Sequence, residues 1–139
     1  MAEKSRSGGT LTTWGAQFAE ALLRVGEGAH LHGETVLALL GLADVNPRRI
    51  KVAVGRRVRP KLPPTIELTR VSEDATTVLY EGIAAQPVAE AILECLGRVD
   101  TGRLAEAAEQ ARREGLLTTS EWHRVRAALQ SFHASTLQV

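Results

Sequence analysis

Residues 46–64 read NPRRIKVAVGRRVRPKLPP, and this stretch decides how the chain divides. Ile50, Val52 and Val54 alternate with Lys51 and Ala53, the two-residue period of a half-buried strand. The alternation predicts a β-branched face turned inward and Lys51 turned outward. Gly55 ends the strand, and residues 56–64, with three prolines and no apolar period, read as a loop. The same stretch holds seven basic residues and no acid: Arg48, Arg49, Lys51, Arg56, Arg57, Arg59 and Lys61. The formal net charge of the chain is only +1, so charge is unevenly spread. Residues 1–61 hold ten basic and five acidic side chains, and residues 62–139 hold seven and eleven. Positive charge gathered in one place on a near-neutral chain is usually presented to something anionic.

On the N-terminal side the period is helical. Trp14, Phe18, Ala21, Leu22 and Val25 fall on one face of residues 13–25, and Gly26 and Gly28 stop the helix. Residues 34–40 form a second, short helix, apolar nearly all round and so expected to be buried. On the C-terminal side IELTRV (66–71) reads as a second strand. Residues 77–80 and 83–85 are two extended pieces around a Glu81-Gly82 hairpin turn. From Pro87 the chain is helical again, since a missing N–H costs nothing at a helix start. Val88, Ile92, Leu93 and Leu96 make one face of that helix. Residues 100–113 form the next, and Thr118-Thr119-Ser120-Glu121 is a capping box that opens a last helix carrying Trp122, Val125 and Leu129.

The expected fold is therefore α+β: two N-terminal helices, a small three- to four-stranded, mainly antiparallel sheet, and three C-terminal helices. Residues 1–10 read as a flexible tail, 11–132 as a single domain and 133–139 as a frayed tail. A chain of 139 residues is long enough to bury a real core. The single cysteine, Cys95, excludes an internal disulfide and suits a reducing cytosol. No apolar run approaches membrane-spanning length, and MAEKSRSGGT has no apolar centre, so it is not a signal peptide. The expected compartment is the cytoplasm.

Catalytic motifs are missing. The sequence has no phosphate-binding glycine loop with its lysine, no G-x-S-x-G elbow and no H-E-x-x-H helix. His30 and His32 would share one face of an extended segment, but a metal needs further ligands, and a polar helix entry explains them more simply. Cys95 reads as a small core residue. Glu67, Glu73, Asp74 and Glu81 lie around the strands. Glu67-Leu-Thr-Arg70 has a faint likeness to a metal-dependent nuclease pattern, with arginine in place of the usual lysine. Solvated strand faces and turns account for these acids as well. No catalytic residue, metal site or cofactor is expected.

The basic stretch carries the functional expectation. A strand edge is kept from aggregating by one or two lysines. Here five of the seven cations are arginine, the residue suited to bidentate recognition of phosphate or carboxylate. No aromatics interleave with them and they do not lie on a helix, which argues against base stacking and against a groove-reading helix.

Several stretches together resemble the C-terminal region of AbiEi-family antitoxins of type IV toxin–antitoxin systems. These are LHGETVLALLGLADV (31–45), NPRRIKVAVGRRVRP (46–60), YEGIAAQPVAEAILECL (80–96) and EAAEQARREGLLTTSEWHRV (106–125), in the family's order across most of the chain. The resemblance implies a bacterial antitoxin that neutralises a cognate nucleotidyltransferase toxin, and it implies no catalytic residue. Family members join this region to an N-terminal winged helix-turn-helix that binds operator DNA. Only ten polar residues precede Leu11, too few for a winged helix, so operator binding through that domain is not expected. The family's basic residues that assist DNA binding map onto Arg48, Arg49, Arg56, Arg57 and Arg59. The expected partner is thus a toxin surface met by the seven cations, with no membrane and no small-molecule substrate. A DNA-binding transcriptional regulator using residues 48–61 is the first alternative, and a degenerate metal-dependent nuclease the second.

Overall fold

Helix α1 (Gly9–Val25) turns Phe18, Ala21 and Val25 inward, as their spacing predicts, and its end falls at Gly26 with φ 111°. The computed structural model describes residues 9–58 and 61–137; the expected tail over residues 1–8 and the candidate residue Arg59 lie outside them. Helix α1 begins at Gly9, inside the segment expected to be tail. Helix α2 (Glu34–Leu39) is buried over Thr35–Leu39, as its all-round apolar character requires.

The sheet corrects the expectation in number and direction of strands. Five strands run in the order β3-β2-β1-β5-β4: β1 (His30–Leu31), β2 (Ile50–Val54), β3 (Ile66–Arg70), β4 (Val78–Tyr80) and β5 (Ile83–Ala85). The pairs β1/β2 and β4/β5 are antiparallel, while β2/β3 and β1/β5 are parallel. Strand β1 escaped the sequence because two residues carry no period. Strands β2 and β3 are parallel because the proline-rich segment between them is about as long as a crossover needs. Val58 and Leu62 of that segment pack with Val52, Val54, Ile66 and the end of α1. The crossover is thus anchored at Val58 and Leu62. The hairpin is as expected: Tyr80 pairs Ile83, and Glu81 (φ 55°) and Gly82 (φ 83°) both take the left-handed conformation that matches strand twist.

Strand β2 is an interior strand flanked by β3 and β1, and its second half is buried on both faces, not half-buried: Val52, Ala53 and Val54 are all sealed. Residues 71–77 carry the chain from one sheet edge to the other and pass close over the end of β2. A Cβ on Gly55 would lie 2.7 Å from Glu73 Cα, a backbone atom that cannot yield easily. Gly55→Ala is therefore expected to destabilise the protein by about 1–3 kcal/mol. An unchanged urea midpoint would show that this segment is not seated there.

The larger core joins α1, α2 and sheet residues Leu31 and Ala85 to three C-terminal helices, α3 (Val88–Glu94), α4 (Thr101–Arg113) and α5 (Thr119–Leu137). The Tyr80 hydroxyl accepts the Val88 N–H at 3.0 Å and so serves the exposed donors of α3. Asp100 caps α4 by accepting the Arg103 N–H at 3.2 Å. The capping box of α5 is reciprocal: Glu121 N–H donates to Thr118 Oγ1 at 3.0 Å, and Thr118 N–H to Glu121 Oε1 at 2.9 Å. Helix α5 continues to Leu137, through most of the tail expected to fray, since HASTL contains no helix breaker. No helix among the described residues is long and apolar enough to cross a membrane.

Candidate functional site

The fold separates the basic residues that the sequence puts together. They stand at opposite ends of β2, roughly 15 Å apart at the strand rise of about 3.3 Å per residue. Arg48, Arg49 and Lys51 lie at the start of the strand, and Arg56 and Arg57 follow its end. Lys61 lies on the crossover between β2 and β3.

Three of these cations hold structure. Arg49 donates through Nε to the Pro64 carbonyl at 3.0 Å and through Nη2 to the Ile66 carbonyl at 3.4 Å, pinning the return of the crossover. Arg56 Nε donates to the Glu27 carbonyl at 3.0 Å and ties the crossover to the turn after α1. Lys51 was expected to face outward, but its side chain is only 12% exposed, with Nζ 2.9 Å from Glu34 Oε1. That oxygen is buried and has no aligned hydrogen-bond donor, so the contact is best described as an ion pair. Burial alone would push the Glu34 carboxyl up, but the adjacent Lys51 ammonium outweighs it and holds the group below the ordinary glutamate range. The Lys51 amide in turn donates to Thr35 Oγ1 at 2.9 Å, which seats β2 on α2. The remaining cations, Arg48, Arg57 and Lys61, are exposed and make no hydrogen bond or ion pair among the described residues.

At the start of β2 an open cleft of about 520 Å³ lies between residues 45–49 and residues 98–103. Arg48, Arg49 and Lys51 meet Arg98 and Arg103 here, across three carboxylates, Glu34, Glu67 and Asp100. Sequence reading missed Arg98 and Arg103, which lie about 50 positions away from the basic stretch. A local signal existed: both flank the start of α4, whose first turn has no acid, although helix dipoles favour anions at that end. The first wall of the cleft follows two left-handed non-glycine residues, Ala43 and Asp44, both at φ 53°. Such backbone costs of order 1–3 kcal/mol per residue. Helix α4 holds it in place: Gln110 accepts the Ala43 N–H at 3.3 Å and donates to the Gly41 carbonyl at 3.2 Å. Arg103 Nη1 donates to the Asp44 carbonyl at 3.4 Å.

His30 lies on the two-residue strand β1, and His32 follows it at the entry to α2, next to the N-cap Gly33. His30 stands opposite Ala53, and the His32 N–H donates to the Lys51 carbonyl at 3.0 Å. His32 Nε2 lies 3.9 Å from Glu94 Oε1. Among the described residues no three His, Cys, Asp or Glu side chains are placed to hold a metal ion. Glu67 lines the cleft, Glu73 lies over Gly55, and Glu81 sits in the hairpin turn, so the acids singled out in the sequence do not converge. Cys95 is fully buried at the end of α3, and burial, reinforced by the Glu34 carboxylate, pushes its thiol up to about 12.

Burial lowers the pKa of His30, with the His32 charge adding to it and a backbone hydrogen bond at Gly28 opposing it. Burial also lowers His32; Lys51 and Arg98 act in the same direction, and Glu94 and Glu34 oppose them. Between the folded values and the unfolded value of about 6.5, the unfolded chain binds more protons. The stability contributed by both histidines is therefore complete above about pH 6.5 and is lost as the pH falls towards the folded values. The melting temperature is expected to drop on acidification from pH 7.5 to 5.5. A flat profile would refute the assignment.

No family model matches this chain, and no curated protein matches it either.

Proposed function

We propose that this chain is a non-enzymatic antitoxin that acts in the cytosol by binding an acidic face of a nucleotidyltransferase-like toxin. The ordered likeness to antitoxin C-terminal regions supports the reading. The observation that carries it is the state of the crossover cations. Arg57 and Lys61 are exposed and without described partners, on a segment held by Val58, Leu62, Arg49 and Arg56. Cations beside anchored residues give up little entropy on binding, and their charge speeds encounter with an acidic surface.

Co-expression with the toxin is expected to restore growth. Arg57→Glu combined with Lys61→Glu should slow association at least tenfold and weaken rescue. The melting temperature should stay unchanged, because neither side chain makes a described hydrogen bond. Failure of the parent chain to rescue growth would end the reading. The same exposed cations favour operator DNA as a second reading. It requires log K to fall with log salt at about −0.9 per phosphate neutralised, and salt-independent binding would remove it.

A further inference from the structure

The cleft at the start of β2 has features that docking a toxin on the distant crossover does not use. Its lining carries five cations and three carboxylates, a surplus of two positive charges. Each carboxylate already has a positive neighbour or a donor. Glu34 is ion-paired with Lys51 at 2.9 Å, Asp100 accepts the Arg103 N–H, and Glu67 stands opposite Lys51 in the β2/β3 register. Arg49 and Arg103 keep their charge while donating to backbone carbonyls. Arg48 and Arg98 remain: one on each wall, both exposed, neither with a hydrogen bond or ion pair among the described residues.

The wall that carries Arg48 is a built feature. It follows the left-handed Ala43-Asp44 pair, whose backbone α4 clamps through Gln110 and Arg103. The apolar part of the lining is limited to Val45, Pro47 and Val99 and includes no aromatic ring, so a base or sugar ring has nothing to stack on. Two guanidinium forks in one cleft exceed what one carboxylate can accept. They match the three terminal oxygens and double charge of a phosphate monoester.

We propose that this cleft binds a phosphate monoester dianion, either a small free phosphate or the phosphorylated end of a nucleic-acid strand, gripped by Arg48 and Arg98. The site goes beyond the antitoxin reading and does not rest on it. Behind it His32 feels both Lys51 and Arg98, so a bound dianion would counter the cations that help to keep this imidazole neutral.

The test is calorimetric titration of the full chain at low salt with inorganic phosphate, and with an oligonucleotide bearing either a 5′-phosphate or a 5′-hydroxyl. Saturable one-to-one binding is expected, weakened at least tenfold by Arg48→Ala and by Arg98→Ala. Arg126→Ala, exposed on α5 and outside the cleft, should change it less than twofold. Tighter binding of the 5′-phosphorylated strand than of its hydroxyl twin assigns the site to strand ends. Binding of inorganic phosphate without that preference assigns it to a small phosphate. The proposal fails if neither phosphate binds saturably, if neither cleft variant weakens binding, or if Arg126→Ala weakens it as much as Arg98→Ala. The last result would mean diffuse charge attraction and no site. Both cleft arginines are exposed and unbonded, so unchanged circular dichroism is expected to accompany each variant.

Discussion

Phe18→Ala is expected to cost about 3–5 kcal/mol, the range for removing a buried aromatic ring. Phe18 is fully buried on α1 and stacks on Trp14 with ring centroids 5.1 Å apart and planes within 17°. Phe18 belongs to the larger core, and α1 packs there on α2 and the sheet, so no single element can collapse into the space. Against a total stability of about 5–15 kcal/mol, a loss of that size consumes much of the margin. The melting temperature should fall by roughly 10–20 °C. Leu23, on the same helix, is 82% exposed, and Leu23→Ala should stay within about 0.5 kcal/mol. Similar effects at the two positions would mean that α1 is rotated about its axis from the orientation described here.

Cys95 is expected to react with a thiol reagent about a thousandfold more slowly in the folded chain than in the unfolded one at pH 7.5. The thiolate is the reacting form, and an ordinary cysteine ionises near 8.5. Burial pushes Cys95 up to about 12. The thiolate fraction then falls by more than three powers of ten, and its rise with pH is tenfold per unit. Labelling kinetics with a coloured disulfide reagent, with and without denaturant, measure this directly. A folded-state rate within tenfold of the unfolded one would place the thiol at the surface. It would also reopen a nucleophilic role that its environment now argues against.

The parts of the fold legible in the sequence were those whose signals are local. Phe18, Ala21 and Val25 announced the buried face of α1 by their spacing. Thr118 and Glu121 announced the start of α5, because a capping box is completed within one turn. Glu81-Gly82 announced its turn, because a two-residue hairpin needs two left-handed residues. The two-residue β1 and the parallel β2/β3 pairing were not legible. A strand of two residues has no period, and strand direction is set by how the connection packs, here through Val58 and Leu62.

The sequence by itself determined that this chain is helical at both ends, strand-rich in the middle and strongly basic over residues 48–61. Each of these is a property of residues within a few positions of one another. Only the tertiary structure decided what the charge can do. It gave Arg49, Arg56 and Lys51 to backbone carbonyls and a carboxylate, left Arg48, Arg57 and Lys61 exposed, and brought Arg98 and Arg103 into one cleft with Arg48. Charges act on one another over roughly 10 Å of solution, not along the chain. Neighbours in sequence at opposite ends of β2 therefore serve different purposes, while α4, packed beside the loop after α2, supplies the second wall of the cleft.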